Sequence, residues 1–197
     1  QKQVNSQKLF DTPSEDPLAA SFSLSLNSTL RTLKTFRETG VSVDTWMSAS
    51  DYAFQKMNDL SMQANNLVLN ALNDTIGASE RLAMSSELDG MLNQAIDSAN
   101  STQDGQYLFA GFRTSTKPFE LVDHSLPGDP NSTFNDPLTG VYEVVYNGDN
   151  GQMQRTINAG QAVVQNVPGG AAFTDYLRSL VQAREAVTTD NTASLRD

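Results

Sequence analysis

The chain of 197 residues has no cysteine, one histidine, and only 13 Lys plus Arg against 23 Asp plus Glu. Without thiols there is no disulfide frame, no Cys-ligated zinc or iron–sulfur centre and no cysteine nucleophile. One histidine is too little for a His-based metal site or proton relay. The net charge of −10 opposes the counterion release that drives nucleic-acid binding, and it equally opposes an anionic membrane surface. Neither is expected as a partner. No stretch reaches the roughly 18 consecutive apolar residues of a membrane-spanning helix. Charged residues make up only 18% of the chain, whereas Ser, Thr, Asn and Gln together number 66, a third of it. A surface built from uncharged amides and hydroxyls suits lateral protein contacts, although an ordinary soluble domain tolerates it equally.

Proline is missing from Leu18 through Lys117, and nine of the twelve glycines fall between 105 and 170. Because proline removes a helical hydrogen bond and clashes with the preceding turn, the proline-free run is where long helices are expected. Apolar residues there recur at helical spacing: Val43, Met47, Phe54, Met57, Leu60, Ala64, Leu67 and Ala71 define a seam, with Ser50 as its small polar interruption. Leu18, Phe22, Leu26, Leu30 and Leu33 extend the stripe upstream. With Gly40 only weakening the helix, Pro17 to Ala71 is predicted as one element of about 80 Å at 1.5 Å per residue. The segment Asp11-Thr12-Pro13-Ser14-Glu15-Asp16-Pro17 supplies capping oxygens, carboxylates and an N-terminal proline for its start. A second helix is predicted near Ala78 to Ala99, folding back after Asn73 to Gly77. A third, Phe173 to Val187, closes the bundle.

Between the helices the pattern turns to strands. Tyr107 to Phe112 and Val141 to Tyr146 are rich in aromatic and β-branched residues. The run Asn147-Gly148-Asp149-Asn150-Gly151 reads as a turn tolerant of positive φ, leading to a return strand from Gln152 to Ile157 that makes a hairpin, with Asn158-Ala159-Gly160 turning into Gln161 to Val164. Asp123 to Pro137 is expected to be an exposed loop. The fold class is therefore α+β, mainly α. It is expected to be an elongated antiparallel rod of long helices, residues 1–106 plus 171–197, with a small β-rich outer domain inserted at 107–170.

Little here carries chemistry. His124 beside Ser125 cannot form a relay from adjacent positions, and a role-free loop histidine is the expectation. Glu15-Asp16 and Asp149-Asn150 lack the alternating oxygen pattern of a calcium loop. Glu87 and Asp89 are expected on a solvated helix surface rather than across a cleft. Gly105-Gln106-Tyr107 and Gly148 to Gly151 lack phosphate-loop spacing. No catalytic residue, metal or cofactor is expected. One pattern is more suggestive: Arg31, Lys34 and Arg37 recur every three residues, a basic patch within a first half that is otherwise acidic, and a candidate subunit interface.

The runs Leu9-Phe10-Asp11-Thr12-Pro13-Ser14-Glu15-Asp16-Pro17-Leu18-Ala19-Ala20, Asp104-Gly105-Gln106-Tyr107-Leu108-Phe109-Ala110-Gly111 and Thr116-Lys117-Pro118-Phe119 resemble the flagellar hook-associated protein 3 family of flagellin relatives. The similarity continues through Tyr146-Asn147-Gly148-Asp149 and Val167-Pro168-Gly169 in the same order. The resemblance implies a non-enzymatic, extracellular axial protein at the junction of hook and filament, exported unfolded through the flagellar secretion machine. Its implied partners are hook-associated protein 1, flagellin subunits, further copies of itself and, before export, a flagellar chaperone. It also implies that terminal tube-forming helices lie outside this sequence. In keeping with that, no initiating Met precedes Gln1, and Asn191 to Asp197 reads as a cap and first turn of a further helix. The chain alone is then expected to be monomeric. An extracellular binding module, adhesin-like or phage-tail-like, with a ligand site in the β-rich segment is the alternative, and an exposed aromatic pocket would be its mark. A carboxylate-based hydrolase ranks behind both.

Overall fold

The computed structural model describes residues 17–72, 76–123 and 142–188. The predicted helix start at Asp11 to Asp16, the loop residues beyond Asp123 and the cap at Asn191 lie outside them. Among the described residues three helices dominate, α1 Pro17–Ala71, α2 Ala78–Ala99 and α3 Gly169–Thr188. The described strands between α2 and α3 are β1 Thr102–Gln103, β2 Gln106–Tyr107, β3 Phe119–Asp123, β4 Tyr142–Tyr146, β5 Gln154–Asn158 and β6 Gln161–Val164. They pair as β1 with β2, β3 with β4 and β5 with β6. The mainly helical α+β class holds, and α1 runs unbroken through Gly40. The chain divides into two compact units, Gln1–Val43 with Arg155–Val163, and Asp44–Gln154 with Val164–Asp197.

The first unit's helical part is the start of α1. The apolar residues of its first turns, Leu18, Phe22, Leu26, Leu30 and Leu33, are all exposed. They do not continue a covered seam.

The second unit contains the core. Along α1 the buried positions are Val43, at the unit boundary, then Trp46, Ser50, Ala53, Met57, Leu60 and Ala64, alternating steps of three and four, and Ala71 two turns on. That spacing keeps one stripe on one side of a helix. Met47, expected in the seam, is about half exposed, and Trp46 takes its place. Phe54 sits beside the stripe rather than on it, because Ala53 holds the seam position. Ser50 is buried without cost, since its Oγ donates to the carbonyl of Trp46 at 3.0 Å. α2 adds Leu88, Leu92, Ala95 and Ala99, and α3 adds Phe173, Leu177, Leu180, Val181 and Val187. The α2 start is held by Glu80, whose Oε2 accepts the Gly77 N–H at 2.6 Å.

The strand segment departs from expectation in three places. Tyr107 to Phe112 is not one strand. Asp104 at φ 52° and Gly105 at φ 76° form the tight turn of a β1–β2 hairpin with Gln103 opposite Gln106. After Tyr107 the chain turns inward and buries Leu108, Phe109 and Ala110. Second, β4 pairs antiparallel with β3, Phe119 opposite Tyr146 and Leu121 opposite Val144, rather than with the return strand after Gly151. β5 pairs with β6 instead. Third, Gly148 and Gly151 are not at positive φ.

Aromatic rings join these parts. The Phe109 ring lies 4.7 Å from Phe173 of α3 and 5.5 Å from Phe54 of α1, while Phe119 of β3 lies 5.0 Å from Tyr146 of β4. The Phe109 carbonyl accepts from Gly169 N at 2.9 Å and from Tyr146 Oη at 3.0 Å. A Cβ at position 169 would stand 2.9 Å from Phe109 and Phe119, so α3 can begin there only with glycine.

Phe173→Ala is expected to lower unfolding free energy by about 3–5 kcal/mol, whereas Leu26→Ala on the exposed stripe should change it by less than about 0.5 kcal/mol. Leu60→Asp, which places a charge on the buried seam, should be at least as damaging as the first. Urea unfolding curves read all three.

Candidate interaction surface

The start of α1 presents an uncovered apolar stripe along successive turns. Leu18 is 83% exposed, Phe22 71% and Leu33 55%, values at which a leucine or phenylalanine normally invites a covering surface. Arg31, Lys34 and Arg37 lie on the same turns and are exposed. Glu38 tempers the patch, its Oε1 standing 3.8 Å from Lys34 Nζ across one helical turn. An exposed pair of this kind is worth only a few tenths of a kcal/mol. The helix thus offers what a partner helix needs: a period-3.6 apolar face with cations beside it.

The second unit has a concave feature of about 420 Å³, formed by Met47, Asp51 and Phe54 of α1 and by Val164 to Val167. Its wall is fixed by Asn166, which is buried, accepts the Met153 N–H at 2.6 Å and donates to the Gly151 carbonyl at 2.9 Å. Asp51 is the one carboxylate among the lining residues, and its Oδ2 accepts from Gln55 Nε2 at 2.7 Å. A single exposed carboxylate supplies no acid–base pair. No described aromatic residue of the strand segment lines it, and Phe109 and Phe119 are fully buried.

Of the other acidic candidates, Asp89 and Asp149 are structural. Glu87 is exposed, as expected. Asp89 is not simply solvated: its Oδ1 accepts from Arg184 Nε of α3 at 2.9 Å. Arg184 also reaches Glu185 at 3.3 Å and stacks 4.9 Å above the Tyr142 ring, so one guanidinium links α2, α3 and β4. Asp149 clamps irregular backbone. Its Oδ1 accepts from Phe112 N and from Gly151 N, both at 2.8 Å, and Arg113 Nε lies 3.9 Å from Oδ2. Those two N–H groups, with Arg113 adding attraction, hold its carboxyl below the usual range. Burial pushes the Tyr176 phenol the other way, up to about 12. Among the described residues no group of three or more His, Asp or Glu is placed to hold a metal. His124, Ser125, Glu15 and Asp16 lie outside them.

Sequence reasoning missed β3 and its anchor. Asn100, just past α2, accepts the Phe119 N–H on Oδ1 and donates from Nδ2 to the Phe119 carbonyl, both at 2.9 Å. An asparagine at a helix end usually reads as a local cap, and nothing in its sequence spacing points nineteen residues ahead.

Residues 1–114 match the family model of the bacterial flagellin N-terminal helical region. The chain is 29% identical over 138 residues to flagellar hook-associated protein 3 of Salmonella typhimurium, an alignment covering 66% of this chain and 42% of that protein. It is 28% identical over 125 residues to flagellar hook-associated protein 3 of Escherichia coli, covering 60% and 38%. The chain thus spans about two fifths of these curated relatives. Among solved structures, Xanthomonas campestris FlgL matches with a TM-score of 0.58 at 25% identity, over 72% of this chain and 41% of that one. Bacillus cereus FlgL shares the fold with a TM-score of 0.68 at 20% identity, over 90% and 78%.

Because the folded state holds the Asp149 carboxylate ionised more firmly than the unfolded chain does, its stabilisation is complete above the unfolded carboxylate range near about pH 4. It is lost as pH falls through the lower folded value. Asp149→Asn should therefore lower Tm at neutral pH and shrink the gap to wild type on acidification. A gap independent of pH would contradict the clamp.

Proposed function

Because the chain belongs to the family of the bacterial flagellin N-terminal helical region, we propose that it is part of a structural subunit of the bacterial flagellum at the hook–filament junction. It works by helix-to-helix contact and without catalysis. The observation that carries the reading is the uncovered apolar face of α1 within a segment matched to a filament-forming family. A helix that exposes leucine and phenylalanine at helical spacing is completed by another helix. The named relatives, both hook-associated proteins, support the same place.

In this reading the protein acts outside the cell after passage through the flagellar export apparatus, held by an export chaperone beforehand. It contacts hook-associated protein 1 on one side, flagellin on the other, and copies of itself around the junction. Arg31, Lys34 and Arg37 face an acidic patch on a neighbour, because the chain carries a net charge of −10 and complementary charge sets register. These contacts belong to the rod of residues 1–106 with 171–197, in whose core Phe109 and Phe119 of the outer 107–170 segment are anchored. No cofactor or metal enters the assembly.

In cells lacking their own hook-associated protein 3, the chain joined to terminal helices of the kind its relatives carry should restore filaments on intact hooks. Hooks that stay bare would contradict the assignment. Replacing Arg31, Lys34 and Arg37 together by Glu should leave Tm within a degree or so, as exposed sites do, while reducing filament number. Full filament formation by that variant would remove the basic patch from the interface.

A further inference from the structure

The sequence has two Asn-Gly steps, Asn147-Gly148 and Asn150-Gly151, both in the segment that follows β4. Such a step gives the following backbone nitrogen unobstructed access to the asparagine side-chain amide, because glycine has no Cβ in the way. Local hydrogen bonding separates the two. Gly151 N donates to Asp149 Oδ1 at 2.8 Å, which pins that nitrogen against an anion and makes loss of its proton unfavourable. The peptide joining Asn147 to Gly148 is polarised the other way. Its carbonyl accepts from Arg113 Nη1 at 3.3 Å, and a guanidinium on that oxygen stabilises the negative charge that develops when Gly148 N loses its proton. The Asn147 amide is only loosely tied, with Nδ2 3.5 Å from Glu120 Oε2.

We propose that Asn147 is a site of spontaneous covalent modification and that Asn150 is protected from it. Gly148 N, deprotonated by solvent base, attacks Cγ of Asn147. The N–Cγ bond forms, the Cγ–Nδ2 bond breaks, and the leaving nitrogen takes a proton and departs as ammonia. Water then opens the resulting succinimide at one carbonyl or the other, leaving an aspartyl or isoaspartyl link at position 147. No oxidant or enzyme is required. The new carboxylate stands against Glu120. The isoaspartyl form also inserts a methylene where Asn147 N donates to the Pro118 carbonyl at 2.7 Å, next to the Phe119–Tyr146 pair. The modification therefore loosens the end of the β3–β4 ladder as the protein ages, a consequence independent of its place in the flagellum.

The test is incubation of the folded chain at mildly alkaline pH with peptide mapping by mass spectrometry and isoaspartyl detection. Conversion at Asn147 should run about tenfold ahead of Asn150. In concentrated urea, where both hydrogen bonds are gone, the two rates should converge. Arg113→Ala should slow Asn147 in the folded chain, and Asp149→Asn should speed Asn150. Conversion of Asn150 at an equal or greater rate in the folded state overturns the proposal. So does an intact Asn147 in folded protein whose urea control converts, or a rate at Asn147 indifferent to Arg113.

Discussion

Phe109 is where stretches of chain far apart in sequence are made to share one core. Its ring packs edge-on against Phe173 and Phe54, and its carbonyl is bound by both Tyr146 Oη and Gly169 N. Through those contacts α1, the inward turn after β2, the end of β4 and the start of α3 are held at fixed spacing. Fully buried aromatic side chains contribute the largest share of such a core per residue, and edge-to-face pairs add about 0.5–1.5 kcal/mol each beyond area. The glycine at position 169 follows from this, since any Cβ there would collide with Phe109 and Phe119. The helical seam from Trp46 to Ala64 and the α2–α3 packing extend the same core along the helices.

Around that centre the irregular backbone is satisfied by side-chain amides and carboxylates rather than by long ladders. Asn100 brackets Phe119, Asn166 brackets Gly151 and Met153, and Asp149 gathers the N–H groups of Phe112 and Gly151. An unpaired buried amide costs about 1–3 kcal/mol. These three residues therefore allow strands of only a few residues to be part of a packed unit. They also give the amide-rich composition a second use beside surface contact. Arg184 acts similarly between α2, α3 and β4, joining Asp89, Glu185 and the Tyr142 ring.

The helices were legible because their signals are local. Proline-free length, apolar period and the helix break before Ala78 gave α1 and α2 nearly to the residue, although α3 begins at Gly169, four residues before its first large apolar side chain. The seam's register was harder to read. Trp46 against Met47, and Ala53 against Phe54, differ by one position, and hydrophobicity alone favours the larger residue at 54 although the helix face turned to the core buries the small one. The turn at Asn158-Ala159-Gly160 that joins β5 to β6 was legible, but the partner of β4 was not. A turn-rich run after Tyr146 resembles a hairpin, yet β4 pairs with β3 across a long separation because Phe119 and Tyr146 are drawn into the aromatic cluster. The basic patch at Arg31, Lys34 and Arg37 was plain in sequence, whereas the exposure of the leucines among them required the structure.

The strands are a working part of the helical core rather than an appendage, and hydrogen exchange under native conditions tests that directly. Amides of the β3–β4 ladder and those of α1 between Met57 and Ala64 should open with the same free energy and the same denaturant dependence, as one cooperative unit. Ladder amides that exchange through a low-energy opening while the α1 amides stay protected would show that Phe109 does not couple the two.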